Sequence, residues 1–218
     1  MAEFFLMLGA GLKWLGFALS PVLLLPFLIL VLPRPFRGIA NGLVVLLDRI
    51  AGVFLGSAMA CAMIIVFAQL CVVLARYVFG LSFSWLNEIV IYGFAAMFML
   101  AAGTALRDDD HVRVDILRGG FGPNTRSGIE LAGIYLFLIP ICLLILWSAV
   151  SPSFVRSWAN FEASRESDGL PIRYLFRTLI PLLAVLLIGQ ALSQAIKAAQ
   201  VIRGEREPEA LHGQGAGA

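Results

Sequence analysis

IAGVFLGSAMACAMIIVFAQLCVVL, residues Ile50 to Leu74, runs for 25 positions without a charged side chain. An α-helix needs roughly 20 apolar residues to cross the hydrocarbon core of a bilayer. Inside that core the backbone must satisfy its own hydrogen bonds, so the stretch predicts a membrane-spanning helix. Four more apolar runs repeat the signal: Trp14 to Leu32, Ile89 to Leu106, Ile129 to Val150 and Tyr174 to Ile196. The first carries Pro21 and Pro26, which kink or interrupt a helix, so a re-entrant or surface-tilted segment fits it as well as a span. The whole chain agrees, with 60% hydrophobic residues against 14% charged and a mean hydropathy of +0.91. The expected fold is an all-α integral membrane protein with four core transmembrane helices, an extra N-terminal apolar helix and a short interfacial helix on the outer face.

Charge and cysteine content exclude several function classes. The 16 basic residues nearly balance the 14 acidic ones, so the chain has no nucleic-acid footprint. Cys61, Cys71 and Cys142 sit singly in apolar runs, without the paired spacing of a zinc site, and are expected as small core residues. The start of the chain is expected to be a retained membrane segment, because Glu3 precedes the apolar run and no small-residue cleavage site follows it. With five spans, ten of the 16 basic residues, Arg34, Arg49, Arg107 and Lys197 among them, fall on one side. The positive-inside rule makes that side cytoplasmic, together with the C-terminus. Tyr77, Trp85, Trp158 and Tyr174 then flank the outer ends of spans as an aromatic belt.

The connections carry the remaining candidates. They run from Arg34 to Arg49, Ala75 to Glu88, Arg107 to Gly128 and Ser151 to Arg173, and a polar tail from Arg203 is expected to be disordered. RDDDHVRVDIL, Arg107 to Leu117, offers three aspartates and His111, but consecutive side chains diverge on a helix or strand and do not converge on one ion. Its alternating charges fit a neutral connector better. Arg76 and Glu88 flank the first outer loop, and an ion pair between them would hold that hairpin closed, with Trp85 and Glu88 on one helical face. Two independent interfacial anchors fit equally. In the last outer loop, Phe154, Trp158 and Phe161 recur at i, i+4 and i+7, the pattern of a short helix in the interface. Gly169 and Pro171 supply a turn into the last span. Gly52, Gly56 and Ala60, spaced by four, form a face for close helix approach, to an internal helix or a partner. Gln69, Gln190 and Gln194 are expected as interhelical hydrogen-bonding residues, and Glu88 and Glu130 lie within reach of water near span ends.

ARYVFGLSFSWLNEIVIYGFAAMFMLAAGTALRDDDHVRVDIL, Ala75 to Leu117, resembles the small permease subunit of tripartite ATP-independent periplasmic (TRAP) transporters, the DctQ-like family. The matching positions are Arg76, Tyr77, Trp85, Glu88, Gly103, Arg107, His111 and Asp115, joined later by Glu162, Ser164, Gly169, Leu170, Pro171 and Gln190. The resemblance covers about Asp48 to Ile202. It divides the chain into an N-terminal apolar helix with basic connector (1–47), a DctQ-like four-helix domain (48–202) and a cytoplasmic tail (203–218). Asn87 stands where the family often has an acidic residue, and the segment before Asp48 exceeds the usual four-span plan.

The resemblance implies a multi-pass protein of the bacterial inner membrane, with no catalytic site and no cofactor or metal. Its partners would be a large multi-span permease that carries solute and sodium, an extracytoplasmic substrate-binding protein, and membrane lipids. The small subunit would widen the fixed scaffold against which the large one moves, in uptake of an organic acid or similar solute. Within it, Arg76, Trp85 and Glu88 are expected to brace the outer hairpin, His111 and Asp115 to order the cytoplasmic connector, and the Phe154 to Glu162 stretch to approach the binding protein. A free-standing, homo-oligomeric small transporter or channel remains the alternative, opposed by spans nearly bare of charge. A membrane enzyme using His111 and the aspartates comes last, since a single connector supplies every candidate ligand.

Overall fold

The computed structural model describes residues 23–31, 33–108, 121–149 and 152–207. Every regular element among them is helical: α1 (Leu25–Val31), α2 (Pro33–Val78), α3 (Ser84–Arg107), α4 (Pro123–Gly133), a π segment (Ile134–Leu138), α5 (Ile139–Ala149), α6 (Pro152–Ala159) and α7 (Arg173–Ile202). Among the described residues, four stretches are long and apolar enough to cross a membrane: Gly38–Val78, Ser84–Arg107, Pro123–Ala149 and Arg173–Ile202. Of the first apolar segment, residues 23–31 are described, and α1 makes up seven of them.

The expected connector from Arg34 to Arg49 is instead helix, continuous with the span that follows. Pro33 and Pro35 do not stop it because they occupy its first turn, where a missing N–H costs no intrahelical bond. At 46 residues, α2 is about 69 Å long, more than twice the roughly 30 Å hydrocarbon core. More than half of its length therefore exceeds what a crossing needs, and its N-terminal part, at Ala40 and Val44, packs against α1 and α7.

Helix α7 is the hub, packing against every other helix. Its second half is lined with small residues, and Ala191, Ala195 and Ala199 are fully buried. One side of that half receives Ile29, Ala40 and Val44 of α1 and α2 against Leu192 and Ile196. The opposite side receives Leu131, Ile134 and Ile139 of the third span. Its first half packs on α3, where Leu100 meets Leu186 and Ala58 of α2. Small residues permit this because apolar lipid gives helices little hydrophobic reason to associate, leaving close van der Waals contact to hold them.

Two irregularities have local causes. The third span widens into π geometry directly before Pro140, with Ile139 N–H donating to Ile134 C=O; Pro140 has no N–H to donate and would crowd the carbonyl four residues back. In the loop before the last span, α6 ends at Ala159, and Phe161 N–H and Glu162 N–H reach back to the Trp158 and Ser157 carbonyls. That closure places Phe161 at φ +46°, the left-handed position normally given to glycine. Phe161 thus lies beyond the helix that its spacing predicts. At the end of α7 the same closure uses Gly204, at φ +69°, so the first residues of the expected tail are an ordered cap.

Candidate functional site

Two polar clasps tie α7 and its preceding loop to the α2–α3 hairpin, one near each end of the bundle. In the first, Asp48 of α2 receives Lys197 Nζ at 3.0 Å on one carboxylate oxygen and the Ser193 hydroxyl at 2.8 Å on the other. Lys197 is only 9% exposed. Arg107, the last residue of α3, donates to the Asp48 carbonyl at 3.1 Å and grips its neighbour Asp108 through two nitrogens, at 2.6 and 2.9 Å. The Arg107 side chain holds the Asp108 carboxyl below its usual range.

Amides complete this clasp. Gln194 Nε2 donates to the Leu106 and Arg107 carbonyls, which as the last of α3 lack intrahelical donors. Gln190 Nε2 donates to Leu47 C=O at 2.8 Å, Thr104 Oγ1 to Ala51 C=O at 3.0 Å, and Gln200 Nε2 to Asn41 Oδ1 at 2.8 Å. Gln190 and Gln194 thus join helices, as expected, whereas Asp48 and Lys197 were missed. Each marks the edge of an apolar run, and nothing in the sequence links two residues 149 positions apart.

The second clasp is made by a loop. Helix α3 begins at Ser84 with no side-chain cap from Phe83 before it. Asp168, distant in sequence, supplies the missing acceptor: Ser84 N–H donates to its Oδ2 at 3.1 Å. One turn on, Glu88 receives the Ser164 hydroxyl on Oε1 and the Leu170 N–H, at 2.6 Å, on Oε2. The loop is folded to present these groups, with Ser164 N–H donating to Leu170 C=O at 3.1 Å and Gly169 N–H to Glu166 C=O. Gly169 is required by space: a Cβ there would stand 2.4 Å from Ser164. Beside the clasp, Glu162 lies 3.2 Å from Arg177 and 3.6 Å from Arg173. The Ser157 hydroxyl first, then Arg177, Arg173 and Arg165, hold the Glu162 carboxyl below its ordinary range. The hydrogen bonds from Ser84 do the same for Asp168.

The other expected residues fall in several places. The bonds of Glu88 go to Ser164 and Leu170, not to Arg76, so the brace joins hairpin to loop and does not close the hairpin on itself. Arg76 and Tyr77 are exposed at the end of α2, and Trp85 is exposed beside Phe83. Trp158 and Phe161 both pack edge-on against Tyr174, so these rings anchor α6 to α7, while Phe154 is half-buried. Pro171 lies in the turn before α7, whose N-cap is Ile172. Gly52, Gly56 and Ala60 are exposed, the internal contacts being made by Ala51 and Ala58 instead. Cys142 is buried as expected, but Cys71 is exposed. His111 and Asp115 lie outside the described residues.

A family model described as the DctQ component of tripartite ATP-independent periplasmic transporters matches residues 62–201. No curated protein and no solved structure matches the chain. The matched region runs from the middle of α2 to the last turn of α7, and so contains Arg107, Lys197 and the whole of the Glu88 clasp. The chain therefore belongs to the DctQ family, the small membrane component of TRAP transporters.

Proposed function

We propose that this subunit is a static scaffold for the large permease subunit in sodium-coupled, binding-protein-dependent uptake of an organic acid or similar solute. The observation that carries this reading is the pair of clasps. Side chains that a transporter would turn toward a pathway are committed here to fastening: Asp48, Lys197, Gln190, Gln194 and Gln200 join helix to helix and Glu88 holds the loop before α7, while Gln69, expected to join helices as well, is exposed on α2. The long α2 and the third span meanwhile expose large apolar side chains, Phe67 and Leu70 on one and Phe137 and Leu144 on the other. Such faces suit lipid and a larger membrane partner.

In this reading the Asp48 clasp and the C-terminus lie on the cytoplasmic side of the inner membrane. The Glu88 clasp lies on the outer side, where the stretch from Phe154 to Glu162 meets the binding protein. Gly52, Gly56 and Ala60 face the large subunit. Sodium-driven uptake in proteoliposomes containing all three proteins, with each omitted in turn, tests the proposal. Uptake is expected only from the complete set. Flux through this chain alone would refute the scaffold role and favour a free-standing transporter.

A further inference from the structure

Between α2, α3 and α7 lies an apolar groove of about 280 Å³, walled at one end by Leu170 of the Glu88 clasp. Ile64 of α2, Tyr92 and Ala96 of α3, and Ile172, Phe176 and Leu179 line it. The Tyr92 and Phe176 rings stack with centroids 4.6 Å apart and join α3 to α7 along it. Where α2 and α3 touch, at Gly93, a Cβ would stand 3.0 Å from the Ile65 side chain, which would have to shift to admit it. The groove would hold roughly nine water molecules by volume, but apolar walls give water no partners. Left empty, its lining forfeits dispersion contacts.

The mouth is polar. Ile172 leads directly to Arg173, and Tyr92 lies within electrostatic reach of both Glu88 and Arg173. Both carboxylate oxygens of Glu88 are engaged by the loop. Arg173 shares the Glu162 carboxylate with the nearer Arg177, at 3.6 Å against 3.2 Å. A guanidinium carries five N–H donors, so Arg173 retains donors for a second anion. An apolar trough at membrane depth with a cation at its mouth matches a phosphate joined to a hydrocarbon chain.

We propose that this groove holds one acyl chain of a membrane phospholipid, with the lipid phosphate on Arg173. The lipid would then be a wedge completing the packing between hairpin and hub. This inference needs the chain to span a membrane but does not depend on its part in uptake.

The test places the full chain, with its large permease subunit, in vesicles of phosphatidylethanolamine and phosphatidylglycerol containing a trace of phosphatidylglycerol with a photoreactive acyl chain. Adducts are mapped by mass spectrometry. Labelling of Tyr92, Ala96 and Phe176 is expected to exceed that of Phe137 and Leu144, which are each 68% exposed on the third span, by several-fold. Ala96→Phe, which fills the groove, is expected to remove the excess while Phe137 labels as before. Arg173→Gln leaves the apolar walls intact and is expected to weaken the excess several-fold, which decides the matter if Ala96→Phe fails to assemble. Equal labelling of groove and third span would overturn the proposal. So would an excess that survives Arg173→Gln, or a groove left unlabelled because the large subunit covers it.

Discussion

The two clasps do similar work with different chemistry. At the Asp48 end, helix side chains bond to helix side chains and carbonyls, and Lys197 is almost wholly buried. At the Glu88 end, a loop bonds to the start of one helix, where Asp168 is exposed and Glu162 is half-buried. The first is costlier to break because Lys197 is desolvated, whereas the second draws on partly exposed pairs that salt and pH weaken. A subunit assembled this way has one end that is permanent and one that can be perturbed from solution.

The difference is sharpest for Lys197. Lys197→Met should destabilise the chain by between about 2 and 3 kcal/mol, since it leaves Asp48, half-buried and still bonded by Ser193, without its cation. Pairing it with Asp48→Leu should recover most of the loss, because two apolar groups replace the pair without a stranded charge. Unfolding in detergent by denaturant measures both. Equal losses in the single and double variants would place the stabilisation in side-chain shape and not in charge.

Glu88→Ala comes next, at about 2 kcal/mol, by removing the acceptor for two charge-assisted hydrogen bonds. Its distinguishing effect is local: the loop from Ser164 to Leu170 should become a protease site while the α2–α7 packing stays protected. Uptake by the complex should fall with solute preference unchanged, and a shifted preference would contradict a scaffold role.

How much of this was legible follows from the range of each signal. The four spanning helices rest on local apolar runs such as Ile50 to Leu74 and were all expected. Helix α2 was cut short at Asp48 and Arg49 because charges usually end a span, and the lysine that neutralises Asp48 lies 149 residues away. Glu88 was singled out as a brace, but its partners were misjudged, since Ser164 and Leu170 reach it only through the tertiary fold. The helical spacing of Phe154, Trp158 and Phe161 failed at its last member because the chain turns left-handed there without the glycine that would announce it.

Acid should act on the Glu88 end. Glu162 and Asp168 are held below the ordinary carboxylate range in the folded chain, so their contribution is complete above that range. It is lost as pH falls through about 4 toward their lowered values. Hydrogen exchange at the Ser84 amide, corrected for the intrinsic rate, should therefore lose a few-fold in protection between neutral pH and the acid side of that range. Unchanged protection would mean that Asp168 does not cap α3 in solution.

The smallest effect belongs to Phe161→Gly. The substitution relieves a left-handed residue, worth about 1 kcal/mol, but deletes a ring contact with Tyr174 of similar size, so stability should change by less than about 1 kcal/mol. A larger loss would show that the ring contact outweighs the backbone strain.

The central claim is that this subunit stays fixed while transport proceeds around it. It is tested most directly by locking the weaker clasp. In a background with Cys61, Cys71 and Cys142 replaced, Glu88→Cys and Ser164→Cys put a thiol on each side of the contact, to be cross-linked in the assembled transporter. Uptake is then compared before and after locking. A static scaffold should transport at a rate within about twofold of the uncross-linked variant, since no step requires the clasp to open. A loss of tenfold or more, reversed when the link is cut, would show that the clasp opens during the cycle, and the account of a fixed frame would be wrong.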